Sequence, residues 1–467
     1  MASAPKRALA DFLSILLAEP AGEPAPDGAA DTEISPASAG LPRLSSQAFS
    51  APVTATSGHE GRAAPPLKLG LAVSGGGDSV ALLRLMAEIA REGSPCPIQI
   101  FVYTVDHQLR PEAAAEAAWV GALAAELGAP HRSLTWRWQG RGNISEAARQ
   151  GRYRAIAEAC RADGVAHCLL GHTRDDNIET LFLGLMRGAG LDGLAGMRRS
   201  FTLDGLRFHR PWLEISRSAL REELLQRGQD WHEDPTNQDL THDRARVRQM
   251  LAALDLPSER LAQSLGALAA TRRDLGTELL SRLKGAVGAE GPVLCIDAEA
   301  LLPLTPELRR RALAAAIKVV GRGGYAPRAA QLARLVARDW RGDPSPVTLG
   351  GCRLWFARGA LRLTREFAAV PAPVPADQSW DGWRLIGPAG NDSRLAAVGE
   401  AGRAQLEPSW RAARIPAAAI SASPALWQGE AILASAYAKP KSAEIQPLWQ
   451  FQGPDLPASF TRAVMAH

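Results

Sequence analysis

The sequence contains no apolar run approaching the roughly 18–20 residues that a membrane-spanning helix needs. Its longest candidate near the start is the short amphipathic stretch from Ala8 to Ala18. Lys6 and Arg7 before it resemble the start of a secretion signal, but Asp11 interrupts the stretch early and no clean cleavage site follows directly. A soluble, cytoplasmic protein with no membrane partner is expected. Paired cysteines are missing as well. Cys96, Cys160, Cys168, Cys295 and Cys352 lie far apart, with no C-x-x-C pair and no histidine at ligand spacing. That excludes a signalled zinc or iron–sulfur centre and is the pattern of reduced, buried thiols. No internal repeat recurs along the chain.

What is present is enough apolar material for several cores. With 467 residues, 46% of them apolar, roughly two to four domains are expected and a wholly disordered chain is excluded. Residues 19–67 are dominated by Ala, Pro, Ser and Gly without apolar periodicity, so residues 1–67 read as a disordered extension that carries a short helix over Pro5 to Ala18. Charge is uneven. Residues 1–67 hold 4 Lys/Arg and 7 Asp/Glu, whereas residues 261–369 hold 17 against 9. A phosphate-rich partner favours the second segment, because neutralised phosphates release counterions. A solvated helical surface rich in Arg gives the same count, so charge supports nucleic-acid binding without establishing it.

From Leu67 the texture changes. Leu69 to Val73 reads as a strand ending in Ser74-Gly75-Gly76-Gly77-Asp78-Ser79, followed by a helix from Val80 to Arg91. Ile98 to Val105 is a second strand ending in Asp106-His107, and Pro111 to Leu127 is a helix with proline in its first turn. Arg132 to Trp138 reads as a strand, Ile144 to Arg161 as a helix, and Ala166 to Leu170 as a strand ending in Gly171-His172. Asp175 to Met186 then continues as a helix. Such alternation implies an α/β fold with a parallel sheet. Ligands of these folds sit beyond the carboxyl ends of the strands, so Ser74 to Ser79, Asp106-His107 and His172 to Glu179 are expected to face one crevice. After Arg210-Pro211 the chain reads as helical to about Arg341, then as a small hairpin over Val347 to Leu363. A stiff Pro-rich linker, Val370 to Pro375, leads to a small α+β or β-rich module over 370–467.

A glycine run between strand and helix lets backbone N–H groups approach phosphate oxygens, and the helix dipole adds to the attraction. Ser74 to Ser79 has that setting but lacks the lysine of a Walker A loop and the spacing of a dinucleotide fingerprint. It resembles the S-G-G-x-D-S loop of the ATP pyrophosphatase (PP-loop) superfamily, whose members cleave ATP between the α- and β-phosphates on an adenine nucleotide alpha hydrolase-like fold. The resemblance implies that Ser74, Gly75, Gly76, Gly77, Asp78 and Ser79 bind ATP and hold the departing pyrophosphate, with Asp78 helping to position Mg²⁺.

Further motifs narrow the acceptor. Val105 to Arg110, Asn143 to Tyr153, Gly171 to Thr180, Arg187 to Met197, Arg210 to Leu213, Trp231 to Asp239 and Arg244 to Arg248 follow in order. Together they closely resemble the tRNA(Ile)-lysidine synthetase family, which joins lysine to the wobble cytidine of an isoleucine tRNA. The match covers about residues 68–250, and Thr348 to Gly351 and Trp380 to Gly382 extend it weakly. It implies a catalytic domain over 68–215, a mainly helical tRNA-binding region over 216–369 and the module over 370–467. Thr173, Asn177 and Ala245 stand where the family commonly has His, Gln and Asn.

Asp176 and Glu179 sit three apart, which puts both carboxylates on one helix face, as an ammonium-binding pair requires. By resemblance they hold the substrate L-lysine, with Arg149 or Arg152 meeting its carboxylate bidentately. An acid-rich first helical turn is the plainer explanation, and for Asp175 alone it is preferred. His172 is placed to orient phosphate or pass a proton, whereas His131 and His167 read as structural. Asp78, His172, Asp176 and Glu179 are the expected catalytic set. Asp106 and His107 are candidates for nucleotide or Mg²⁺ contact. The resemblance places Arg244, Arg246 and Arg248 near the active site or the tRNA backbone, with surface ion pairs to Asp239 and Asp243 as the alternative. The partners implied are ATP, Mg²⁺, L-lysine and an isoleucine tRNA with a CAU anticodon, with a homodimer as a candidate assembly. A tRNA 2-thiolase shares the ATP loop, but such enzymes generally need paired cysteines or a cluster. A non-catalytic tRNA-binding protein would not need Ser74, Asp78, Asp176 and Glu179 intact.

Overall fold

The computed structural model describes residues 2–18, 65–93, 96–108, 112–137, 144–233, 243–254, 256–322, 327–387, 390, 392–441 and 449–465. Of the expected disordered stretch over 19–67, residues 19–64 lie outside these residues, as do Leu109, Arg110, Asn143 and Asp234 to Asp239, while Leu67 begins a strand. The described residues divide into two compact units, one within 2–18, 65–173 and 206–233, the other within 174–205 and 243–465.

The first unit is α/β. It begins with α1 (Ala4–Ala18), then β1 (Leu67–Ala72), α2 (Gly77–Glu92), β2 (Ile98–Asp106), α3 (Ala113–Glu126), β3 (His131–Thr135), α4 (Ile144–Asp163) and β4 (His167–Leu170). The chain then supplies α5 (Arg174–Met186), α6 (Leu191–Leu194) and β5 (Ser200–Leu203) to the other unit, and returns as β6 (Leu206–His209) and α7 (Arg217–Gln226). Strands of the first unit lie in the order β3-β2-β1-β4-β6, parallel throughout, with Leu71 opposite both Val102 and Leu169. Leu69, Leu71, Val102 and Leu169 are fully buried, as strands covered by helices on both faces must be. Helix and strand ends differ from the sequence reading by at most three residues, and several, such as the starts at Ile98 and Ile144, coincide. The strand β6 was not anticipated, because Leu-Arg-Phe-His is too short and too mixed to read as an apolar run. His131 bonds Thr104 at 3.0 Å and His167 bonds His209 at 3.0 Å. Burial pushes His167 down to about 4, consistent with a neutral structural pair.

The expected extension over 1–67 begins with a helix that is part of this core. Leu9, Leu13 and Leu16 form an i, i+4, i+7 stripe and are buried in one cluster with Leu82, Leu83, Leu85 and Trp212. Trp212 Nε1 donates to the Pro5 carbonyl at 3.2 Å, and Lys6 pairs with Glu88 at 3.3 Å and Glu92 at 2.5 Å. Phe12 lies 5.0 Å from the His209 ring.

The second unit continues with α8 (Asp243–Leu254), α9 (Ser258–Arg282), β7 (Val287–Glu290), β8 (Val293–Asp297), α10 (Ala298–Leu301), α11 (Pro306–Gly321), α12 (Ala329–Ala337), β9 (Val347–Leu349), β10 (Cys352–Ala357) and β11 (Ala360–Arg365). The sequence reading made this region helical up to a hairpin. The hairpin of β10 and β11 is present, but it sits inside an antiparallel sheet ordered β7-β8-β11-β10-β9. Gly288, Gly291 and Pro292 hid the β7–β8 pair by breaking its apolar pattern. Beyond it, β12 (Val374–Pro375), β13 (Arg384–Ile386), β14 (Ser393–Ala397), α13 (Gly399–Gln405), α14 (Ser409–Ala412), α15 (Ala417–Ser421), β15 (Pro424–Gln428), β16 (Ala431–Ser435) and β17 (Gln450–Gln452) form two further small sheets, β12-β14-β15-β16 and β13-β17. The last helix, α16 (Leu456–Met465), buries Phe460 and Val464 in the same cluster as Leu313 and Ile317 of α11.

Part of the basic surplus over 261–369 is internal. Arg272, Arg311 and Arg362 are buried. Arg311 reaches Asp192 at 2.8 Å and Glu307 at 2.9 Å, while Arg362 holds Glu290 at 2.6 and 2.8 Å. These guanidinium groups are committed to the fold, so only the remaining cations contribute a surface field.

The α1 stripe yields a stability test. Leu9→Ala should cost about 2–5 kcal/mol and lower the first thermal unfolding transition followed by calorimetry, whereas Ser14→Ala on the exposed face should leave it in place. An unmoved transition in the Leu9 variant would show that α1 is not part of the core.

Candidate active site

The glycine loop occupies the carboxyl end of β1 and the amino end of α2. Ser74 and Ser79 close it across its base: Ser74 N donates to Ser79 Oγ at 3.1 Å, the two hydroxyls are 3.3 Å apart, and Ser79 Oγ donates to the Gly76 carbonyl at 2.8 Å. Gly75 has φ +90°, a conformation glycine adopts without strain. No side chain caps α2 at Gly76, so its amino end favours an anion, although Ser79 N already donates to the Gly76 carbonyl at 3.0 Å. Asp78 sits in that first turn, and Arg217 Nε donates to its Oδ2 at 3.2 Å.

Two further segments hold the loop from behind. A Cβ on Gly171, at the end of β4, would lie 3.1 Å from the Asp78 carbonyl carbon and oxygen, so β4 meets the loop backbone to backbone. On another side, His232 N donates to the Gly75 carbonyl at 3.0 Å, and a Cβ on Gly77 would lie 3.3 Å from the Trp231 ring. The His232 ring packs edge-on against Trp119 of α3 with centroids 4.6 Å apart. Sequence reasoning assigned roles to neither Arg217 nor Trp231-His232. Their only signal was the motif string around Arg210 and Trp231, which does not say what they touch.

Other expected residues gather at the same sheet edge. Asp106 ends β2, but its carboxylate accepts from Gln108 N at 2.7 Å and shapes its own turn, where Gln108 has φ +52°. The His107 imidazole is pushed down by burial and by Arg152, against the opposing pull of Asp106. On α4, Arg149 and Arg152 lie over the Tyr153 ring at 5.8 and 5.3 Å. Burial alone would raise the Tyr153 phenol, yet Arg152, Arg149 and Arg210 lower it on balance. Three guanidinium groups around one phenol make this a site for anions. His172 is half-buried just after β4.

In the second unit, α5 carries the acids. Asp176 is 9% exposed and Glu179 only 1%, so both carboxylates point inward. Arg248 of α8 meets them: its Nε lies 2.5 Å from Glu179 Oε1, and one terminal nitrogen lies 3.3 Å from Glu179 Oε2 and 3.9 Å from Asp176 Oδ1. Arg246 instead pairs with Asp243, as does Arg187 at 3.2 Å. Arg244 is half-buried on the same helix, while Ala245 and Val247 face the core. Asn177 has a clear local task, because its Oδ1 accepts from Met197 N at 2.6 Å and so ties α5 to the segment after α6.

Residues 54–254 match the PP-loop domain family. A tRNA(Ile)-lysidine synthase from Ruegeria pomeroyi is 39% identical to this chain over 379 residues, covering 80% of this chain and 89% of that protein. The chain belongs to the tRNA(Ile)-lysidine synthase family. Other members include a synthase from Bradyrhizobium diazoefficiens, 38% identical over 68% of this chain and 91% of its own length, and one from a Methylobacterium species, 37% identical over 63% and 88%.

Membership in that family sharpens two chemical points. Among the described residues no three His, Cys, Asp or Glu side chains gather as a metal cage. Mg²⁺ commonly takes one or two carboxylates and completes its shell with substrate phosphates and water, and the Asp78 carboxylate, held by Arg217 beside the glycine loop, fits that mode. All five thiols are free; burial raises Cys168 well above the ordinary range and pushes Cys352 up to about 12, so neither of these two is a ready nucleophile.

The close approach at Gly171 gives a direct test of the loop. Gly171→Ala must displace the Asp78 backbone and should weaken ATP binding about tenfold in equilibrium titration. Unchanged ATP affinity would mean that the loop geometry does not depend on this contact.

Proposed function

We propose that the protein ligates L-lysine to the wobble cytidine of an isoleucine tRNA with a CAU anticodon, forming lysidine at the expense of ATP, in the cytoplasm. The observation that carries this reading is the pairing, in one member of the family, of a lysine-free phosphate loop with two buried carboxylates already built around a cation. In the first step the cytosine C2 carbonyl oxygen attacks the α-phosphate and pyrophosphate leaves. In the second, the lysine ε-amine attacks C2, the C2–O bond breaks and AMP leaves. Both steps place charge on phosphate oxygens, which the backbone donors of Ser74 to Ser79 are suited to stabilise. Bound Mg²⁺, held by Asp78 and phosphate oxygens, would supply charge neutralisation there.

Asp176 and Glu179 hold the substrate ammonium group, and Arg149 or Arg152 takes its carboxylate. His172, beside the loop, orients phosphate or relays the proton released by the attacking amine. Arg244, Arg246 and Arg248 bind the tRNA. A cytosine carbonyl is a weak nucleophile, so rate depends on positioning, with the base unstacked from the anticodon loop. Thiolation is disfavoured because the sequence has no C-x-x-C pair and Cys160, Cys168 and Cys352 are buried.

Incubation with labelled lysine, ATP and a CAU-anticodon isoleucine tRNA should place label in the tRNA. Asp78→Ala should abolish tRNA-dependent ATP–pyrophosphate exchange while tRNA binding persists; full exchange in that variant would remove the phosphate-loop assignment.

A further inference from the structure

The carboxylates assigned to the substrate ammonium are not waiting in solvent. Glu179 is almost wholly buried, and Arg248 covers it with two contacts while its second nitrogen leans toward Asp176. A buried carboxylate without a cation is strongly unfavourable, so some positive group must stand there whenever the site lacks substrate. The guanidinium belongs to a side chain that keeps about a third of its surface exposed, at 30%, against 2% for its Glu179 partner. It therefore has an outward path, whereas the carboxylates, fixed on α5, do not. On the same helix Arg244 is half-buried and Arg246 is exposed, so moving it outward brings it among other cations and needs an anion there.

We infer that Arg248 is an internal competitor for the substrate ammonium group: it occupies the Asp176–Glu179 pair in the empty enzyme and must swing out for lysine to enter. This rests on the proposed assignment of those carboxylates to lysine. The displaced guanidinium then meets a tRNA backbone phosphate, so each ligand favours the state the other needs. Linkage makes that coupling reciprocal: tRNA raises lysine affinity by the factor by which lysine raises tRNA affinity. No covalent step is involved.

The test is lysine binding to the full chain by calorimetry, with and without tRNA. If the outward state is about a tenth populated, Arg248→Gln should bind lysine about tenfold tighter than the parent protein without tRNA, and tRNA should no longer improve that affinity. Arg248→Lys, which retains a competing cation, should stay close to the parent. Lysine should also raise the thermal midpoint of Arg248→Gln more than that of the parent, a reading that works even where the variant is less stable. Equal or weaker lysine binding by Arg248→Gln, with no extra thermal protection, overturns the inference. The underlying assignment fails separately, if Glu179→Gln binds lysine as well as the parent does.

Discussion

A short loop of backbone, with no lysine of its own, must stay in one shape for the chemistry to have a place to happen. Its shape comes from supports that converge from distant parts of the first unit. The Ser74–Ser79 hydroxyls close its base, Gly171 presses against Asp78, and His232 fastens the Gly75 carbonyl. A loop that binds phosphate through N–H groups gains from rigidity, because donors already in place need no reorganisation as charge develops. The parallel order of β1, β2 and β4 then brings the ends of those strands to one edge, where Asp106, His107 and His172 follow.

The second unit handles the opposite sign. Where the loop offers partial positive charge to an anion, α5 offers buried negative charge to a cation, and Arg248 supplies one. Burial decides both cases. A carboxylate at the surface would select little, whereas one that is 1% exposed demands a partner and so discriminates by charge. Much of the remaining arginine content is spent on fixing backbone: Arg272 on Asp192 and Gly196, Arg365 on Gly321 and Ala369. Counting basic residues therefore overstates what is left for a polyanion.

The local features were legible from sequence. A glycine run between an apolar strand and an apolar helix, and two acids three residues apart, are patterns whose physical meaning needs no tertiary information. What stayed hidden depends on long-range contact. Arg217 and Asp78 are 139 positions apart, and nothing in either neighbourhood announces the pair. The β7–β8 strands were masked by turn residues that make sense only once the antiparallel sheet exists. The helix α1 looked like the start of a loose segment, because its Leu9, Leu13 and Leu16 stripe has meaning only against α2. Asn177, where the family usually has Gln, proved to hold Met197.

The central claim is that the loop grips the two phosphates that leave, so that the adenylyl half of ATP is passed to a base. Separating the nucleotides formed during turnover with tRNA and lysine tests it most directly. AMP and pyrophosphate in equal amounts are the predicted products; ADP and orthophosphate would contradict the account.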